Sequence, residues 1–153
     1  MSVVDDMRAL TAGLAEADPA DTEQALALLA DGLVAARVCG LAAAADRRWK
    51  PRQVNASAVE HNLAWHLAAA ADRTQRIALP GRDENTPAFS GTAADAAVET
   101  IAAHCRAAAP FALAAGQSCP HWPARGNLLH SSKLWRVLAE AWAGRRPTFG
   151  KRP

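Results

Sequence analysis

A chain of 153 residues is one domain of ordinary size, long enough to bury a single core. Half of it is apolar, yet aromatics make up only 5% and much of the remainder is alanine, the best helix former and a poor core filler. That composition predicts closely packed helices anchored by five tryptophans and three phenylalanines. The three cysteines contain no CxxC and form no even set, which excludes a disulfide framework, and no run of 18 apolar residues marks a membrane span. With no basic-then-apolar leader visible, the expected compartment is the cytoplasm, with no membrane partner. Net charge is only +2 but uneven: seven acids to one base over Met1–Asp31, and seven bases to one acid over His121–Pro153. Either the two ends attract each other or the basic end meets an anion.

Val4, Met7, Leu10 and Leu14 recur at helical spacing and predict a short helix over Val3 to Ala17, stopped by Pro19. Asp21, with Gln24 three residues on, opens a second helix that runs to about Arg47. Leu26, Leu29, Leu33, Val34 and Val38 form its apolar face. Gly32 and Gly40 lie inside it, where each costs about 1 kcal/mol relative to alanine. Close approach of another helix is their expected use, and Gly40 is also a candidate break. Asp46 to Asn55 follows as a basic connector in which Arg47, Arg48, Lys50 and Arg52 flank Trp49. It reads as a solvated turn or as a cluster able to hold a phosphate and stack on a base.

The central helix is expected from Asn55 to Ile77, with Ser57 and Glu60 at capping-box spacing. At 100° per residue Val59, Leu63, His66, Leu67 and Ala70 share the inner side, while His61 and Asp72 face water. Leu79 to Thr92 is a loop broken by proline and glycine, and is the expected mobile segment. Thr92 and Asp95 then open a fourth helix with Val98, Ile101, Ala102, Cys105 and Ala109 on one face, His104 beside it, and Pro110 as an end or kink. Gly116 to Asn127 is a second loop, holding Cys119 and His121. The last helix, Asn127 to Ala143, carries His130 at the edge of an arc with Leu134, Trp135, Leu138 and Trp142, and Gly144 stops it. The sum is an all-α domain over residues 1–147, a four-helix bundle with a short additional N-terminal helix, followed by a flexible basic tail over 148–153.

Phosphate-loop, GxSxG, HExxH and EF-hand patterns are all missing. What can carry chemistry is His66 and His130, on different helices and both expected to point inward. Imidazole is the commonest metal ligand, and a catalytic ion needs about three protein ligands plus an open position. Cys105 is the candidate third. The competing reading makes each histidine a satisfied core or boundary residue.

HLAAAADR (His66–Arg73) resembles the histidine-bearing second helix of the DinB-like four-helix bundle proteins. LLHSSKLWRVLAEAWAGRRP (Leu128–Pro147) is similar to their last helix. The resemblance covers about a quarter of the chain. It implies a divalent metal (zinc, nickel or iron) held by His66 and His130, and a transferase, isomerase or hydrolase activity on a small molecule. The family places a further histidine four residues before the one matched by His130. Here that position is Gly126, so one ligand is missing.

A rival reading is a nucleic-acid-binding or complex-forming subunit. It would use Arg47, Arg48, Trp49, Lys50 and Arg52 with Arg136, Arg145 and Arg146, and VNASAVEHNLAWHL resembles the recognition helix of helix-turn-helix regulators. A third is a structural partner protein, with Trp65 and Trp142 as interface anchors.

Overall fold

Five helices follow in order in the computed structural model: α1 (Val3–Glu16), α2 (Thr22–Ala43), α3 (Lys50–Ala70), α4 (Gly91–Ser118) and α5 (Ala124–Trp142). The structure describes residues 2–72 and 77–145. The expected basic tail, 148–153, and Arg146 lie outside these. Among the described residues there is no strand, and the fold is the all-α bundle with an extra N-terminal helix. Around the bundle the packed pairs are α2 with α3, α3 with α5, α5 with α4 and α4 with α2, and α1 lies against α2 and α4.

Alanine fills much of the interior, including Ala25, Ala36, Ala56, Ala97, Ala108 and Ala141, all fully buried. Small side chains let the helices approach closely and leave two indoles, Trp135 and Trp142, to supply bulk. Truncating either to alanine should cost about 3–5 kcal/mol. The two interior glycines of α2 are sockets for side chains from the other helices. A Cβ on Gly40 would sit 2.6 Å from the Trp142 ring, and one on Gly32 would sit 2.3 Å from His104 Nε2. Gly40 does not break the helix. By length and composition α2 could cross a bilayer, but just over half of its most apolar stretch is buried in the bundle.

Several local expectations are corrected. The central helix begins at Lys50, five residues early, because Pro51 sits in its first turn, where a missing N–H costs nothing and φ is already helical. Ser57 and Glu60 are therefore interior positions and cap nothing. Asp21 does cap α2, accepting from the Gln24 amide. Because α4 begins at Gly91, Asp95 lies past its first turn and instead accepts from Arg48 and Trp49, while Asp46 accepts from the Gly91 amide. Pro110 does not end α4: the buried face continues beyond it through Phe111, Ala112 and Ala115, and that packing outweighs the lost backbone bond. Gly144, at φ 93°, ends α5 as expected.

The loop after α3, expected to be loose, is tied to α2 at three points. Arg37 Nε donates to the Pro80 carbonyl at 2.9 Å, the Phe89 amide donates to the Ala42 carbonyl at 3.0 Å, and Arg82 donates to the Leu41 carbonyl. Two of these acceptors, the Leu41 and Ala42 carbonyls, belong to the last turn of α2, where carbonyls lack the amide donors of the helix interior.

Candidate metal centre

Helices α3 and α5 run antiparallel: Arg52, near the start of α3, donates to the Trp142 carbonyl at the end of α5, while His66 meets Asn127 near its start. This pairing brings the rings of His66 and His130 together, with centroids 4.2 Å apart and planes tilted by 47°. The side chain of Asn127 donates from Nδ2 to the Pro123 carbonyl at 3.2 Å, which turns its Oδ1 toward His66. That oxygen lies 2.8 Å from His66 Nδ1 and accepts its proton. Nδ1 of His66 thereby carries a proton, which leaves Nε2 as the nitrogen that can ligate. A metal-binding imidazole is commonly oriented in this way, through its other nitrogen. Loss of solvation, the nearby His66 ring and Lys133 together lower the His130 pKa, favouring its neutral, ligating form.

The pair sits differently from expectation in two respects. His66 is half-buried and His130 exposed, so the rings lie on the outer α3/α5 seam. Cys105 does not join them. It is buried in the core on α4, where burial pushes its thiol pKa well up. Among the described residues no group of three His, Cys, Asp or Glu side chains could hold an ion. Cys119 gives its Sγ contact to the His121 backbone, while the His121 side chain is exposed.

Two exposed aromatics lie near the pair. Trp65 meets His66 edge-on at 4.8 Å and is 55% exposed. Trp122, 75% exposed, lies over Gly126, one helical turn from His130. A groove of about 750 Å³ opens nearby, between α2 and the facing ends of α3 and α5, lined by Leu26, Ala30, Leu67, Pro123 and the acids Glu23 and Asp31. The two histidines do not line it.

The basic residues are largely occupied within the chain. Arg48 pairs with Asp46 at 3.1 Å and Asp95 at 2.8 Å, and Trp49 Nε1 donates to Asp95 at 3.0 Å. Arg52 lies over the Trp49 ring at 4.8 Å while it caps α5. Arg145 faces Glu140 at 3.8 Å. Arg47, Lys50 and Arg136 are exposed. The connector thus reads chiefly as a joint between the ends of α3, α4 and α5.

Two buried polar groups escaped the sequence reading. Arg37 Nη1 donates to Glu60 Oε1 at 3.1 Å and to Ser57 Oγ at 2.9 Å, joining α2 to α3. Burial pushes the Glu60 pKa up to about 7, against the pull of Arg37. A lone arginine within the apolar run of α2 was the available signal, since a buried cation requires a partner. His104 is fully buried, with Nδ1 2.8 Å from Thr11 Oγ1. The Thr11 hydroxyl already donates to the Met7 carbonyl, so it accepts from His104. Burial lowers the His104 pKa to about 4.

Compared with known proteins, the chain matches no family model, no curated relative and no solved structure. The DinB-like likeness rests on the two helix motifs alone.

Proposed function

We propose that the protein is a divalent-metal-binding helical bundle whose ion is held by His66 and His130. The observation that carries this reading is the 4.2 Å approach of two imidazoles from separate helices, one with its tautomer set by Asn127. Ring centroids on one tetrahedral zinc stand about 5 Å apart, close to the spacing of this pair. Two imidazoles leave about half of the coordination sphere to donors from outside the chain. With water or substrate there, the ion would act as a Lewis acid, as a small-molecule transferase or hydrolase of the DinB-like kind requires. With protein donors there, the ion is a structural bridge.

The test is zinc, nickel and iron(II) titration of the untagged chain, with ring resonances of all histidines followed by NMR. His66 and His130 should shift together on one binding curve. His66→Ala and His130→Ala should each abolish that binding while the helical circular dichroism stays unchanged. Binding that survives both substitutions, or shifts centred on His61 or His121, would refute the assignment.

A further inference from the structure

We propose that a second copy of this chain supplies the missing donors, so that one zinc ion joins two chains through the α3/α5 seam. The inference rests on the metal-binding reading above and adds what completes the site.

Zinc in a closed site takes four ligands, and this chain offers two, with no third His, Cys, Asp or Glu in reach among the described residues. A two-fold axis through the ion turns two imidazoles into four without requiring any other residue. Because the pair lies on the outer seam and His130 is exposed, another chain can reach the ion from solvent.

The surroundings of the pair point to a protein surface as the cover. Three large apolar side chains are exposed in the described structure: Val54, Trp65 and Trp122. Trp65 lies against His66, and Trp122 lies over Gly126, the residue one helical turn from His130. Scattered exposed apolar residues are ordinary on a monomer, but an indole against an unfinished coordination sphere with a second indole on the adjoining turn is not scattered. Val54 belongs to the same side of α3. Val54, Ala58, His61 and Trp65 recur at helical spacing and are all exposed, forming one stripe. Tryptophan is the residue type most enriched at the centres of interfaces, where it excludes water from the polar contacts it surrounds. Here it would shield zinc–imidazole bonds. Because the shared ion supplies the bonds between the copies, association is tied to the metal. Closed by four imidazoles, the ion is structural, without the open position that catalysis needs.

Sedimentation equilibrium on the untagged full chain, with zinc added and then removed by a chelator, tests the proposal. Zinc should double the mass at one ion per two chains, and the chelator should restore the monomer. His66→Ala and His130→Ala should remain monomeric in zinc with unchanged helical content. Trp65→Ala should keep the one-to-two stoichiometry and weaken dimerisation by about tenfold or more. A monomer carrying one zinc per chain overturns the shared site and leaves the metal-binding reading standing. No zinc binding at all overturns both. A dimer indifferent to zinc and chelator overturns the bridge.

Discussion

His104 Nε2 rests directly on the backbone of Gly32. A Cβ placed there would lie 2.3 Å from that nitrogen and 2.8 Å from the neighbouring ring carbon. The ring cannot retreat freely, because its other nitrogen is bonded to Thr11 at 2.8 Å and its face meets Trp135 edge-on at 5.5 Å. Helix propensity alone would make Gly32→Ala stabilising by about 1 kcal/mol. Overpacking costs about 1–3 kcal/mol, and losing the Thr11 bond adds about another 1 kcal/mol, so the clash wins. Gly32→Ala should therefore lower the unfolding midpoint in denaturant. Gly13, in α1, has nothing within 4 Å of its would-be Cβ, and Gly13→Ala should raise the midpoint by the propensity term. If the two substitutions shift stability in the same direction, the socket role of Gly32 is wrong.

The pH dependence of stability should be a near cancellation. His104, lowered from 6.5 to about 4 by burial, contributes stability that is complete above pH 6.5 and is lost as pH falls toward 4. Glu60, raised from 4.5 to about 7, contributes stability that is complete below pH 4.5 and is lost as pH rises toward 7. Between pH 4.5 and 6.5 these slopes oppose, so the wild-type curve should be nearly flat. Asp46, lowered to about 2, acts below this window. In His104→Leu the Glu60 slope dominates, opposed weakly by the exposed and also lowered His130, and stability should fall by up to about 3 kcal/mol as pH rises from 4.5 to 7. In Glu60→Gln the slope should reverse, with stability falling as pH drops below 6.5. Chemical denaturation at four or five pH values reads both signs.

The period of the apolar residues made the helices legible, and with them the burial of Val59, Leu63, Leu67 and Ala70. Boundaries were less legible where two signals competed. Ser57 and Glu60 have the spacing of a cap, but the same spacing puts both on one helix face, where they meet Arg37. The inner arc of α4 was drawn too narrow. With alanine at so many positions, neighbours approach that helix from several sides, and His104, beside the expected arc, ends up fully buried. His66 and His130 lie at the outer edge of the α3/α5 contact, so they meet near the surface instead of inside. Their meeting depends on α3 and α5 packing antiparallel, which periodicity does not encode.

Asn127 gives the proposed metal site a handle that leaves its two histidines untouched. Its amide is locked by the Pro123 carbonyl and in turn locks the His66 tautomer. Loss of such an outer partner typically weakens metal affinity about 10–100-fold. Asn127→Ala should show that loss in a zinc titration, while Asn127→Asp, which keeps an acceptor facing Nδ1, should retain affinity. Equal affinities for all three proteins would mean that Asn127 orients nothing.

Arg37 is the remaining point where fold and electrostatics meet, since one guanidinium serves the Glu60 carboxylate, the Ser57 hydroxyl and the Pro80 carbonyl. Removing it does three things at once. It strands a carboxylate in the core, empties a hydroxyl's partner and frees the start of the 79–90 loop. Stranding one member of a buried ion pair costs about 3–5 kcal/mol, though Glu60 can escape part of that by taking a proton, its pKa being already near 7. Arg37→Met should accordingly be destabilising at pH 8 and less so at pH 5. Combining it with Glu60→Leu should recover most of the loss, because two apolar side chains of similar volume leave no charge behind. Lysine at position 37 restores the charge without the fork, and so should not restore all three contacts. Amide exchange reports the loop separately. In the wild type the Phe89 amide, bonded to the Ala42 carbonyl, should exchange more slowly than those of Glu84 and Ala88. Arg37→Met should speed exchange around Ile77 to Gly81 while leaving Phe89 protected, since that anchor lies on the far side of the loop. If Phe89 loses protection as well, the loop is one cooperative unit held by Arg37, and the three anchors are not independent.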